Sequence, residues 1–190
     1  EDRENKIWEA AVPVGVVAGL VPSTNPTATT IFKSLISVKA GNAIVFSPHP
    51  SAVRCIAQTV RVLGEAACAA GAPQGILGVM TLPTLPGTQE LMKRSNLILA
   101  TGGTAMVRAA YSSGTPALGV GPGNVPAFIE RTADIPAAVR RVMASKTFDN
   151  GMICASEQSI VTETCIESEV IAQFRRQGGY FVSGEDARRV

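Results

Sequence analysis

Short apolar runs alternate along the chain with segments whose apolar positions recur at helical spacing. Val14 to Val21 is β-branched and apolar, and Pro22-Ser23-Thr24-Asn25-Pro26 breaks it. From Thr27 to Lys39 the apolar residues Ile31, Leu35, Ile36 and Val38 carry a helical period, with Gly41 as the stop. Asn42 to Phe46 reads as a buried strand, and Ser51 to Ala70 as an Ala-rich helix stopped by Gly71 and Pro73. Ile76 to Met80 and Leu97 to Ala100 are strand-like; Gln89 to Arg94 and Gly103 to Tyr111 are helical. Ala117 to Val120 and Ala127 to Glu130 are short strands around a glycine-rich bend. A helix from Ile135 to Lys146, a strand from Ser159 to Thr162 and an amphipathic helix from Ile166 to Gln177 follow, with Gly178-Gly179 ending the last. This βαβα rhythm, with strands apolar on both faces, predicts an α/β fold: an open parallel sheet with helices on both faces, then the start of a second α/β domain. The rhythm pauses at Gly121-Pro122-Gly123-Asn124, which places a boundary between residues 1–123 and 124–190. The chain stops inside a charged, helix-prone stretch, Gly184 to Val190, as expected of a fragment.

Composition narrows the function classes. With 46% apolar residues in 190, the chain has enough to fill a core. A net charge of +2 without a basic stripe, and 5% aromatic content, argue against nucleic acid as a partner. Gly, Pro, Ser and Lys interrupt every apolar run before membrane-spanning length. The charged start, Glu1 to Lys6, is no secretory signal. Cysteines at 55, 68, 154 and 165 lack CxxC spacing, so neither a zinc site nor a disulfide framework is indicated, and a reduced, cytoplasmic setting fits. His49 is the only histidine, which disfavours both a Ser-His-Asp triad and a histidine-rich metal site.

Five segments carry candidate chemistry. Cys154 follows Asn150-Gly151 in a short loop between a helix and a strand, where backbone N–H groups can lower a thiol's pKa and hold an oxyanion; the competing reading is a buried structural cysteine. Asn25 lies in a strand-to-helix turn with Pro26 at the helix start, and either caps that helix or offers its carboxamide N–H to an oxyanion. Thr101-Gly102-Gly103-Thr104 ends a strand and opens a helix, which suits a phosphate or a simple tight turn; no P-loop is present. In Phe46-Ser47-Pro48-His49-Pro50, at a strand's carboxyl end, Ser47 and His49 either meet a cofactor's ribose or phosphate or form a solvated turn. Gly119-Val120-Gly121-Pro122-Gly123-Asn124 has Pro122 and no following helix, so it reads as a domain-crossing bend.

Taken together and in this order, these segments resemble the aldehyde dehydrogenase superfamily, specifically its coenzyme A-acylating branch. The matching runs are Val21-Pro22-Ser23-Thr24-Asn25-Pro26-Thr27, Ile31-Phe32-Lys33-Ser34, Phe46-Ser47-Pro48-His49-Pro50, Ala100-Thr101-Gly102-Gly103 and Ser145-Lys146-Thr147-Phe148-Asp149-Asn150-Gly151. The resemblance implies that Cys154 is the nucleophile and that Asn25 joins the Cys154 N–H in an oxyanion hole. It implies that Thr101, Gly102 and Gly103 lie under the pyrophosphate of NAD, and that Ser47, Pro48 and His49 line the cofactor site. Ser47 falls where hydrolytic relatives usually carry a lysine near the adenine ribose, so NADP stays an alternative.

Hydrolytic relatives also carry a glutamate general base in the segment matching Leu118 to Gly123, and here that segment holds no carboxylate. Without a base to activate water, an acyl thioester on cysteine survives until a thiol attacks it. The resemblance therefore implies oxidation of a short-chain aldehyde to acyl-CoA, with NAD and coenzyme A, by a reversible ping-pong route. The alternatives are a hydrolytic aldehyde dehydrogenase giving the free acid, and a non-catalytic assembly subunit. Family members are much longer, so the resemblance also implies a homo-oligomeric parent, cytoplasmic or packaged in a microcompartment, and a fragment inactive by itself.

Overall fold

The computed structural model describes residues 4–8, 10–184 and 186–189. It divides into two compact units, Glu1–Pro122 and Gly123–Val190.

The first unit is built on a parallel sheet. Its elements run β1 (Val16–Val21), α1 (Pro26–Lys39), β2 (Ala43–Pro48), α2 (Val53–Ala69), β3 (Leu77–Val79), α3 (Leu85–Arg94), β4 (Leu97–Thr101), α4 (Thr104–Tyr111) and β5 (Ala117–Val120). The strands lie in the order β3-β2-β1-β4-β5, all parallel. Side chains alternate across β1: Val17 and Val21 join Ile44, Phe46, Ile56 and Val60 in one core, Ala18 and Leu20 join Met92, Ile98 and Ala100 in another. Two cores drawn from alternate residues of one strand mean that both sheet faces are covered, which is why the strands read as continuous apolar runs.

Strand order reverses between β1 and β4, because β2 and β3 extend the sheet one way and β4 and β5 the other. At such a switch point the crevice beyond the strands' carboxyl ends receives ligands.

Three sequence expectations need correction here. The strand predicted over Val14 to Val21 starts only at Val16, because the Val14 and Gly15 N–H groups donate to Asn42 Oδ1 at 2.7 and 2.9 Å instead of to a neighbouring strand. The strand predicted over Asn42 to Phe46 runs from Ala43 to Pro48, since Leu20↔Ser47 and Val21↔Pro48 extend its pairing with β1. A solvated turn is therefore wrong for Ser47 and Pro48, both buried. In α1 the apolar residues do not all meet the sheet: Leu35 and Ile36 are exposed, with Phe32, while Thr30, Lys33, Ser34 and Ser37 face inward.

The second unit runs β6 (Val125–Ile129), α5 (Ile135–Thr147), β7 (Glu157–Thr162) and α6 (Glu167–Arg176). β6 and β7 pair in parallel, joined by α5 as crossover. Ile129, Ile135, Val139 and Val170 form its core. Asp134 caps α5, its carboxylate accepting from the Ala137 N–H at 3.0 Å. In the stretch from Gly184 to Val190 a short turn of 3-10 helix covers Asp186–Arg188; Glu185 and Val190 lie outside the described residues. No helix among the described residues is long and apolar enough to cross a membrane.

Candidate functional site

Within the first unit, three segments singled out from the sequence come to one end of the sheet. The turn holding Asn25 follows β1, Ser47 and Pro48 end β2 with His49 beyond, and Gly102-Gly103 follows β4. All are carboxyl strand ends of a parallel sheet, and the first and last flank the switch point.

Asn25 is the N-cap residue of α1, with Pro26 at the first helical position. Its backbone carbonyl accepts from the Thr29 N–H, but its carboxamide makes no capping hydrogen bond. It is exposed. The side chain is thus free for another acceptor, which removes the plain capping role.

The turn after β4 leaves its backbone open. Gly103 is the N-cap of α4, no side chain caps that helix, and no acidic residue stands in its first turn. A Cβ built on Gly103 would meet nothing, and one on Gly102 only Met106 at 3.7 Å, so a ligand can approach the backbone closely. Ser47 is committed within the fold: its hydroxyl pairs with Thr88 Oγ1 of α3 at 2.7 Å. His49 is exposed, its Nδ1 bonded to Ser51 Oγ at 2.7 Å and accepting from the Ser51 N–H.

Charge is uneven along the chain. From Ala10 to Pro122 there are seven Lys and Arg side chains but only two carboxylates, Glu65 and Glu90, a net charge of +5. Those two are paired to Arg61 and Arg94 on their own helices. Such a surplus favours anionic ligands.

One cation of this set, Lys33, is buried, and desolvation lowers its pKa to about 7 from 10.5. Between those values the unfolded chain binds more protons at Lys33 than the native one, so its burial costs stability below pH 7 and the loss is recovered as pH rises toward 10.5. From pH 7 to 9.5 the unfolding free energy of the wild type should gain on the order of 3 kcal/mol relative to Lys33→Met. Parallel denaturation curves for the two proteins would contradict this.

In the second unit, Cys154 sits between α5 and β7. After α5 the chain makes a 3-10 turn over Phe148–Gly151, with Asp149 (φ 48, ψ 40), Asn150 (φ 53, ψ 29) and Gly151 (φ 72) all left-handed. Asp, Asn and Gly tolerate that conformation best, so this tripeptide is suited to reversing the chain just before the thiol. The Met152 N–H donates to Asp149 O at 3.1 Å and the Ser156 N–H to Ile153 O at 2.9 Å, which closes a tight bend around Cys154. The thiol is exposed, as are the flanking Phe148 and Met152. Within this chain Cys154 is therefore not part of a buried core.

Two residues near Cys154 have features that sequence reasoning missed. A Cβ on Gly123 would stand 2.6 Å from the Cys154 carbonyl oxygen, so the second glycine of Gly121-Pro122-Gly123 gives the Cys154 bend room. Gly123→Ala must push that backbone aside, and should lower the Cys154 alkylation rate by about tenfold to a hundredfold; a wild-type rate in a folded variant would contradict it. The other residue is Glu157, at the start of β7, whose Oε2 is buried without a hydrogen-bond partner. Nothing in the local pattern signalled it. Among the described residues no group of three His, Cys, Asp or Glu is placed to hold a metal.

Comparison with known proteins gives consistent matches. A family model described as "Aldehyde dehydrogenase family" matches residues 2–185. The chain is 51% identical over 182 residues to a bifunctional aldehyde-alcohol dehydrogenase of Escherichia coli K12, covering 95% of this chain and 20% of that protein. Of the solved structures, an acetylating aldehyde dehydrogenase from Geobacillus thermoglucosidasius superposes with a TM-score of 0.86 at 56% identity, over 97% of this chain and 41% of that one. A propionaldehyde dehydrogenase of Rhodopseudomonas palustris, solved with bound propionyl-CoA, gives 0.81 at 32% identity, over 94% and 40%. The chain thus spans about a fifth of the length of the curated relative.

Proposed function

The chain belongs to the aldehyde dehydrogenase family, and from that membership we propose that its parent protein is a coenzyme A-acylating aldehyde dehydrogenase. The observation that carries the reading is the exposed Cys154 in its tight bend, combined with a segment Leu118–Gly123 that holds no carboxylate. Acetylating and propionyl-CoA-binding proteins among the similar structures support it. On this reading residues 1–123 bind the dinucleotide and residues 124–190 begin the catalytic domain.

The chemistry follows from the residues. The Cys154 thiolate adds to the aldehyde carbonyl carbon and forms a thiohemiacetal. The Asn25 carboxamide N–H and the Cys154 backbone N–H are the proposed donors to its oxyanion. A bound nicotinamide dinucleotide, NAD or NADP, supplies the hydride acceptor. Loss of hydride from the thiohemiacetal leaves an acyl thioester on Cys154. Attack by the coenzyme A thiolate re-forms the oxyanion, and its collapse expels Cys154 as thiolate and releases acyl-CoA. One thioester replaces another, so the exchange is close to neutral in energy and runs both ways. Thr101, Gly102 and Gly103 would hold the dinucleotide's pyrophosphate through the open helix start. With Ser47 bonded to Thr88 and Pro48 buried, His49 is the exposed member of the β2 end, and Ser47 acts by fixing that end. The parent is proposed to be cytoplasmic and homo-oligomeric, with its thiols reduced.

A hydrolytic reading has one observation in its favour, the Glu157 carboxylate three residues after Cys154, whose Oε2 is buried without a hydrogen-bond partner. Trapping separates the two. Full-length enzyme given aldehyde and dinucleotide without coenzyme A should accumulate an acyl adduct on the peptide that contains Cys154, and added coenzyme A should discharge it. A peptide that stays unmodified while free acid accumulates would refute the acylating reading.

A further inference from the structure

Helix α1 covers the sheet with its polar side. Thr30 bonds its own helix, donating to Pro26 O at 2.8 Å. Lys33, 3% exposed, reaches the sheet instead: its Nζ donates to Leu20 O at 2.6 Å and to Leu99 O at 2.7 Å. Those carbonyls belong to β1 and β4, which pair side by side at Leu20↔Ala100, on either side of the switch point. Leu20 stands one residue before the end of β1 and Leu99 two before the end of β4. The turn holding Asn25 leaves the first strand, the Thr101–Gly103 turn the second, and Asn25 is itself the N-cap of α1. A single amine therefore ties together three elements at the ends that carry both turns.

This tie is costly. Desolvation alone accounts for the lowered pKa of the buried amine, and the two carboxylates between Ala10 and Pro122 are bonded to arginines of their own helices, so neither offsets it. An apolar side chain of similar length would fill the space without that desolvation penalty. What an apolar side chain could not do is hold two strand carbonyls at once. Burial keeps the amine's pKa near 7, and both of its protonation states have enough N–H groups for both bonds.

We propose that Lys33 is a positioning residue: by bonding the Leu20 and Leu99 carbonyls to α1, it sets the separation of the β1 and β4 carboxyl ends and thereby places Asn25 and the Thr101–Gly103 turn. The effect on dinucleotide binding rests on the function proposed above; the effect on the strand ends does not.

The test uses full-length enzyme with Lys33→Met, and Lys33→Gln as a second variant that keeps N–H donors on a stem too short to reach both carbonyls. At pH 6.5 Lys33→Met is expected to melt no lower than wild type, because the buried charge is gone. Its amides at residues 20–26 and 99–103 should nevertheless exchange with deuterium at least about tenfold faster. NAD should bind at least about tenfold more weakly and kcat should fall at least about tenfold, with Lys33→Gln between the two. Exchange at those segments within twofold of wild type, in either variant, would overturn the proposal whatever happens to binding. Wild-type NAD affinity and kcat in a variant whose strand ends exchange faster would overturn the link to the site. A wild-type enzyme that does not bind NAD or NADP would instead refute the proposed function, and the exchange result would still decide the structural claim.

Discussion

Replacing Cys154 with serine in the full-length enzyme is expected to lower aldehyde oxidation by at least about ten-thousandfold. A hydroxyl at that position stays protonated at neutral pH. No histidine of this chain other than His49 could serve as a base for it. The substitution is also clean. Cys154 is exposed and a serine hydroxyl is nearly isosteric, so folding and dinucleotide affinity should match wild type. The same variant should lose the acyl adduct and the alkylation of that peptide, while Cys55, Cys68 and Cys165, which are exposed too, still react. Turnover above about a hundredth of wild type would remove Cys154 from the nucleophile's role.

Asn25→Ala should slow turnover by about a hundredfold to a thousandfold, the cost of one oxyanion donor at roughly 3 to 4 kcal/mol. Replacing an asparagine N-cap usually costs helix stability as well, but here the carboxamide makes no capping bond, so the melting temperature should barely move. Asn25→Asp separates the roles further. An aspartate caps a helix well and favours its N-terminus, yet it places negative charge where the oxyanion would form. It should therefore be at least as stable as wild type and as slow as the alanine variant or slower. Loss of stability in step with loss of activity would return Asn25 to a structural role.

Much of this architecture is legible in the chain because a parallel sheet covered on both faces demands apolar residues at consecutive positions. Val17 to Val21 satisfies two cores at once, and its β-branched residues and the proline that follows favour a strand over a buried helix segment. The turns after β1 and β4 were visible for a similar reason, since proline and glycine mark where the chain must leave the sheet. What periodicity could not show is the orientation of α1. Its apolar residues recur at helical spacing, but so do Thr30, Lys33, Ser34 and Ser37, and only the tertiary structure reveals that the second set meets the sheet. Lys33 escaped notice because a lysine in a helix normally points to water; its partners are backbone carbonyls 13 and 66 residues away in sequence. Ser47 was recognised as lying at a strand end, but its commitment to Thr88, 41 residues on, belongs to packing rather than to pattern. Gly123 read as a bend, and its further role as room for the Cys154 carbonyl depends on the pairing of β6 with β7.

The exposed residues divide in the same way. Leu35 and Phe32 on α1, and Leu118 and Val120 on the edge strand β5, are as apolar as the core yet face outward. Since the chain covers 41% of the Geobacillus enzyme to which it is similar, such faces are read as places the rest of the parent covers, in keeping with a proposed whole that is larger and oligomeric.

The central claim is that the Cys154 thioester is discharged by a thiol and not by water. It is tested most directly by following NADH formation by the full-length enzyme with acetaldehyde and NAD, in the presence and absence of coenzyme A, with the products identified. Steady NADH production that requires coenzyme A, with acetyl-CoA as the product, is the result expected from a Leu118–Gly123 segment that holds no base. Equal rates without coenzyme A, and acetate as the product, would contradict it and make Glu157 the first carboxylate to test as the group that activates water.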